Sequence, residues 1–97
     1  MPLYVTLVNW TDQGIKTFRD SVRRAEDYQG LVEKHGGQLR QLVWTLGQYD
    51  IVAVTDFPDD ETATAVALQT GALGNIRTTT MKAFDAEQMN AIIQRTG

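Results

Sequence analysis

No cysteine occurs anywhere in the chain. Its absence excludes a disulfide framework, a thiol nucleophile and thiolate zinc sites, and fits a reducing, cytoplasmic compartment. The one histidine, His35, stands before Gly36 and Gly37, where a helix ends. A zinc or copper site would want several such ligands, so His35 is read as a helix C-terminal residue rather than a metal or haem ligand. The one serine, Ser21, sits in a helix-cap context, which leaves a Ser-His-Asp nucleophile without support. A glycine-rich phosphate loop is missing as well, because Gly71-Ala72-Leu73-Gly74 has neither the lysine nor the spacing.

Positive charge is also scarce: nine basic against twelve acidic side chains give a net charge of −3, with no dense basic run. Nucleic-acid binding is not expected on that balance. No apolar run approaches the ~20 residues that span a bilayer, and Met1-Pro2-Leu3-Tyr4-Val5 lacks the basic lead and apolar core of a signal peptide. A soluble, cytoplasmic protein without membrane or cofactor is the expectation. At 97 residues the chain is one domain long, and such a domain buries only about two thirds of its unfolded surface. Association that covers a sheet face would add appreciably to its stability.

The pattern of what is present gives the fold. From Leu3 to Trp10 the aliphatic Leu3, Val5 and Leu7 alternate with Tyr4, Thr6, Val8 and Trp10, a strand with both faces occupied. Thr11 caps a helical segment whose apolar positions are Ile15, Phe18, Val22, Ala25, Tyr28 and Val32. Asp20 and Ser21 are poor interior residues, so the spacing predicts a short helix that breaks there before a longer one. Residues 38–46 and 50–57 form a hairpin through Gly47-Gln48-Tyr49-Asp50. Pro58 ends it, and Asp59 caps an alanine-rich helix with Asp60 and Glu61 in its first turn, so these carboxylates are read as caps rather than as a metal cluster. Ala63, Val66, Ala67 and Thr70 make a low-relief stripe, and Gly71 and Gly74 end the segment. Residues 75–84 are a fourth strand, after which Asp85 and Gln88 form a capping box for a last helix.

The order βαββαβ with a C-terminal helix predicts an α+β, ferredoxin-like domain over residues 1–97, a four-stranded antiparallel sheet with helices on one face. Apolar residues at both parities imply that something covers the other face, and a second copy of the chain is the economical cover, giving a dimeric α/β barrel. Tyr4, Trp10 and Trp44 are the candidates for that cover.

Gly47-Gln48-Tyr49-Asp50, Pro58-Asp59-Asp60 and Gly74-Asn75-Ile76-Arg77-Thr78-Thr79-Thr80, in this order and spacing, resemble the GYD-domain family, and Thr11-x-x-Gly14-Ile15 is similar to the family's first connection. The resemblance covers nearly the whole chain. One departure is Val22, which stands where members often carry a proline. The resemblance implies a ferredoxin-like fold related to the dimeric α/β barrels, whose relatives include oxygenases, isomerases, haem-dependent enzymes and ligand-sensing domains; it implies no particular activity.

Candidate site residues follow from chemistry. Arg77 places a guanidinium in the middle of an otherwise uncharged strand; it needs an anionic ligand in the barrel or an ion pair with Asp50 or Asp56. Asp50 is a general base or, as turn chemistry favours, a cap for backbone amides. Tyr49 donates to a ligand or packs across a dimer seam. Trp10 and Trp44 are expected as walls. The leading expectation is a homo-oligomer binding a small organic or anionic ligand at Tyr49, Asp50 and Arg77. A cofactor-independent oxygenase or isomerase, and a purely structural or regulatory association module, remain alternatives.

Overall fold

The computed structural model describes all 97 residues. Four strands, β1 (Leu3–Trp10), β2 (Gln38–Trp44), β3 (Ile51–Asp56) and β4 (Ile76–Ala83), form one antiparallel sheet in the order β2-β3-β1-β4. This is the ferredoxin-like order. The first connection is a short helix α1 (Asp12–Lys16), a 3₁₀ turn at Phe18–Asp20 and a longer helix α2 (Ser21–Lys34). The break falls at Asp20 and Ser21 as predicted, although Val22 is not a proline and neither side chain makes a capping hydrogen bond. Helix α3 (Asp60–Ala72) joins β3 to β4, and α4 (Ala86–Gln94) follows. No helix is long and apolar enough to cross a membrane.

The predicted caps account for the helix starts. Thr11 accepts from the Gly14 amide, the Asp59 side chain accepts from the Thr62 amide at 2.8 Å, and Asp85 with Gln88 closes a full capping box. Helix α2 stops at His35, and Gly36 takes φ +79°, a conformation that favours glycine. Strands β2, β3 and β4 are one or two residues shorter at their ends than expected; at the hairpin, residues 45–50 form the turn rather than ladder.

Paired residues in an antiparallel ladder share a face, which settles the sheet's sidedness. Tyr4, Thr6, Val8 and Trp10 pair with Thr55, Ala53, Ile51 and Ile76 among others, and this is the face turned to α2 and α3. Tyr4 is 4% exposed and belongs to a core cluster with Val32, Phe57, Ala63 and Val66. Its expected place on the sheet's free face is therefore corrected: burial on the helix side suits the ring, and its hydroxyl reaches Asp60 on α3. Trp10 and Trp44 also fall on the helix-side parity, Trp44 opposite Ile51 and Trp10 opposite Ile76. The free face carries Leu3, Val5, Leu7, Val52 and Val54, all half-buried, with Met81 and Val43 more exposed. Val22, expected on the inward stripe, is 61% exposed, because α2 turns Ser21, Arg24, Ala25 and Tyr28 inward instead.

Candidate functional site

The layer between sheet and helices is solid at one end and hollow at the other. Tyr4 and Val32 fill the first end, and Phe57, Ala63 and Val66 stand at the boundary, packed on that pair and lining the cavity as well; the Tyr4 and Phe57 rings meet edge to face at 5.9 Å. Toward the other end of β1 an apolar cavity of about 170 Å³ opens. Its origin lies in side-chain size. The inward face of α3 there is Ala67 and Thr70, and β1 and β4 contribute Thr6, Thr78 and Thr80, so the stripe expected to bring helix and sheet together leaves a void.

The rim is built by a close approach. Thr11 donates its hydroxyl to the Gly74 carbonyl at 2.6 Å and its amide to the Asn75 carbonyl at 3.1 Å, drawing α1 onto the start of β4. Gly14 lies so near that a Cβ there would stand 1.8 Å from the Asn75 oxygen, so no side chain fits. The Gly14 carbonyl, with that of Thr17, accepts from Nη2 of Arg24 at 3.1 and 2.7 Å. Arg24 and Ser21 both line the cavity, and Nη1 of Arg24 and Oγ of Ser21 are buried without a hydrogen-bond partner. Buried polar atoms are nearly always paired, which makes this orphaned pair informative. Tyr28 is on the same wall, where burial pushes its hydroxyl up to about 12 and keeps it protonated.

The residues singled out from sequence do not converge. Trp10 lines the cavity, but Trp44, on the edge strand, does not. Asp50 accepts from the Trp10 amide at 2.9 Å, while its own amide donates to the Val8 carbonyl at 2.8 Å, so it fastens the turn to the end of β1. Asn9 adds to this by donating to the Gln48 carbonyl at 2.7 Å. The carbonyl of Tyr49 accepts from Thr45 Oγ1 at 2.6 Å. Arg77 lies opposite Asn9 on the sheet's other face, exposed and without an ion pair; Asp56 is taken by Arg40 instead. Arg40 falls where the β2–β3 register shifts between Leu39 and Gln41, a displacement that periodicity does not report.

Sequence reasoning missed Arg24 as a site residue and passed over Ser21. A signal was present, since counting back from Val32 by helical spacing through Tyr28 reaches Arg24 and then Ser21, polar residues on a stripe that should be apolar.

The sequence matches the GYD domain over residues 4–93. The chain belongs to the GYD-domain family. Among solved structures, this GYD domain is similar to MtbAldR, with a TM-score of 0.68 and 12% identity over 87% of its own length and 53% of the other chain. It thus spans about half of that protein. It is also similar to TTHA0845 from Thermus thermophilus, with a TM-score of 0.57 and 23% identity over 89% of its length and 96% of the other. These likenesses establish the fold. No functionally curated protein matches the sequence.

Proposed function

We propose that this GYD domain is a homodimer whose protomers each bind a small, largely apolar organic ligand between sheet and helices. The observation that carries the reading is the cavity of about 170 Å³, larger than the ~150 Å³ void that accepts benzene. Its place is on the helix side, not in a barrel interior, so ligand and partner occupy opposite faces of one sheet. Two unpartnered apolar surfaces support the partner: the free face around Leu3, Val5 and Leu7, and α4, which has no substantial packing on its own domain and leaves Met89 and Ile93 about half exposed.

Binding suits the geometry better than catalysis. A cofactor-independent oxygenase or isomerase would need a buried base in the cavity that is free to take a proton near neutral pH. Asp50 is occupied with the Trp10 amide, and Tyr28 is held protonated. A module that only associates would have no use for the hollow.

Two measurements test the reading. Scattering should return twice the chain mass for the parent, and Val5→Asp on the free face should return a single chain that remains folded. Titration with toluene or indole, followed by amide NMR, should shift Thr6, Val8, Ala25 and Thr78 in both proteins. A monomeric parent rejects the dimer; absence of shifts at those amides rejects the cavity as a binding site.

A further inference from the structure

Resting on the cavity reading, we infer that the ligand is a small carboxylate with an apolar body, its carboxylate taken by Arg24 and Ser21 at the rim and its body lodged against Trp10, Tyr28 and Ile76. A purely hydrophobic void would need no guanidinium in its wall. Here the first two inward positions of α2 are Ser21 and Arg24, and each presents a buried donor with nothing to bond. The cost of such an orphan is recovered when a ligand supplies the acceptor. A carboxylate is the acceptor that suits a planar guanidinium with a serine three residues before it on the same inward stripe, whereas an uncharged carbonyl brings no opposite charge.

Anchoring is consistent with the surroundings of Arg24. Nη2 is held by the Gly14 and Thr17 carbonyls, which orient the group without neutralising its charge. No carboxylate pairs with it: the domain's ion pairs are Arg23 with Asp20, Arg40 with Asp56, and Lys82 with Asp60. Asp27 also lines the cavity and opposes an anion, yet it stands free of Arg24. Because Nη1 and the Ser21 Oγ are both sealed from solvent, a carboxylate reaches them by turning the guanidinium and the Ser21 rotamer toward the void. That turn loosens the Nη2 bonds to the Gly14 and Thr17 carbonyls, and the charge-assisted bonds to the carboxylate offset their loss.

The apolar body has a size limit. A volume of about 170 Å³ accommodates one ring or a short aliphatic chain, which separates this class from fatty acids and from polar metabolites.

Phenylacetate and its uncharged isostere phenylacetamide provide the test, with Trp44→Phe as background so that Trp10, in the cavity wall, is the sole tryptophan reporter. Phenylacetate should bind on the order of tenfold or more tighter than the amide, the margin of a charge-assisted hydrogen bond. Arg24→Met should erase the preference while leaving amide binding in place. Arg24→Lys, which keeps the charge and loses the fork, should retain part of it. Equal binding of acid and amide to the parent, with Arg24→Met indifferent, overturns the carboxylate and leaves the cavity reading standing. Binding of neither probe, with the domain folded by circular dichroism, overturns both. The parent comparison decides even where a variant folds poorly.

Discussion

The two ends of the sheet–helix layer share β1, α2 and α3 and differ in how they are filled. Tyr4 and Val32 close one end, with Val32 wholly inaccessible and Phe57 at the boundary, while Ala67, Thr78 and Thr80 leave the other empty. Hydrogen bonding differs in step. At the filled end the Tyr4 hydroxyl donates to Asp60 Oδ1 at 2.5 Å, and Lys82 stands 3.6 Å from the same oxygen. At the hollow end Ser21 and Arg24 have donors to spare. A small domain has little stability to give away, so the filled end acts as the anchor that lets the other stay open.

Truncation is the strongest way to break this comparison. Phe57→Ala should cost about 3–5 kcal/mol by denaturant unfolding, the range for a buried aromatic. Ile76→Ala at the cavity wall should cost about 1 kcal/mol, because that side chain already faces space and the atoms lost had few neighbours. Similar costs for the two would mean that the hollow end is packed in solution.

Alkaline titration sharpens the same contrast with a smaller effect. Burial, and after it the hydrogen bond to Asp60, pushes the Tyr4 hydroxyl up to about 12. The folded state then holds that proton more tightly than the unfolded chain, whose tyrosines titrate near ~10. Stability is therefore complete below about pH 10 and falls as pH rises toward 12. The Asp60 side chain that accepts this proton is 60% exposed, so solvent screening reduces the Tyr4 share of that loss to about 1 kcal/mol. Tyr4→Phe should flatten the fall by this share in unfolding curves taken between pH 9 and 12; an unchanged slope would remove Tyr4 from the account.

Sequence made the element order and the helix starts legible because caps are local chemistry: Thr11, Asp59 and Asp85 need only their own next three residues. The break at Asp20 was legible because Asp20 and Ser21 are poor helix-interior residues, although no capping bond forms there. Sheet sidedness was not, since β1 is apolar at both parities and Tyr4 suits a free face or a core. The hollow was least legible of all. Alanine and threonine on α3 and β4 are equally consistent with close packing, and only the placement of α3 over the sheet decides whether their smallness brings surfaces together or leaves a gap. Asp50 and Arg77 were chosen for chemistry that their neighbours then determined: one bonds the Trp10 amide, and the other lies on the opposite face from the cavity.

The smallest effect separates the two roles most cleanly. Ala67 is half-buried on α3 and lines the cavity, so Ala67→Leu adds three carbons to empty space. Each buried methylene contributes roughly 0.8 kcal/mol, less the rotamer freedom the new side chain loses. The variant should be about 1 kcal/mol more stable than the parent by denaturant unfolding. The same side chain occupies the ligand's volume, so the shifts of Thr6 and Thr78 with toluene should disappear. Gain of stability with loss of binding is the signature of a void kept open for a ligand at the expense of packing. If Ala67→Leu instead costs about 1–3 kcal/mol, as overpacking does, the end called hollow is already full, and the difference between the two ends falls with it.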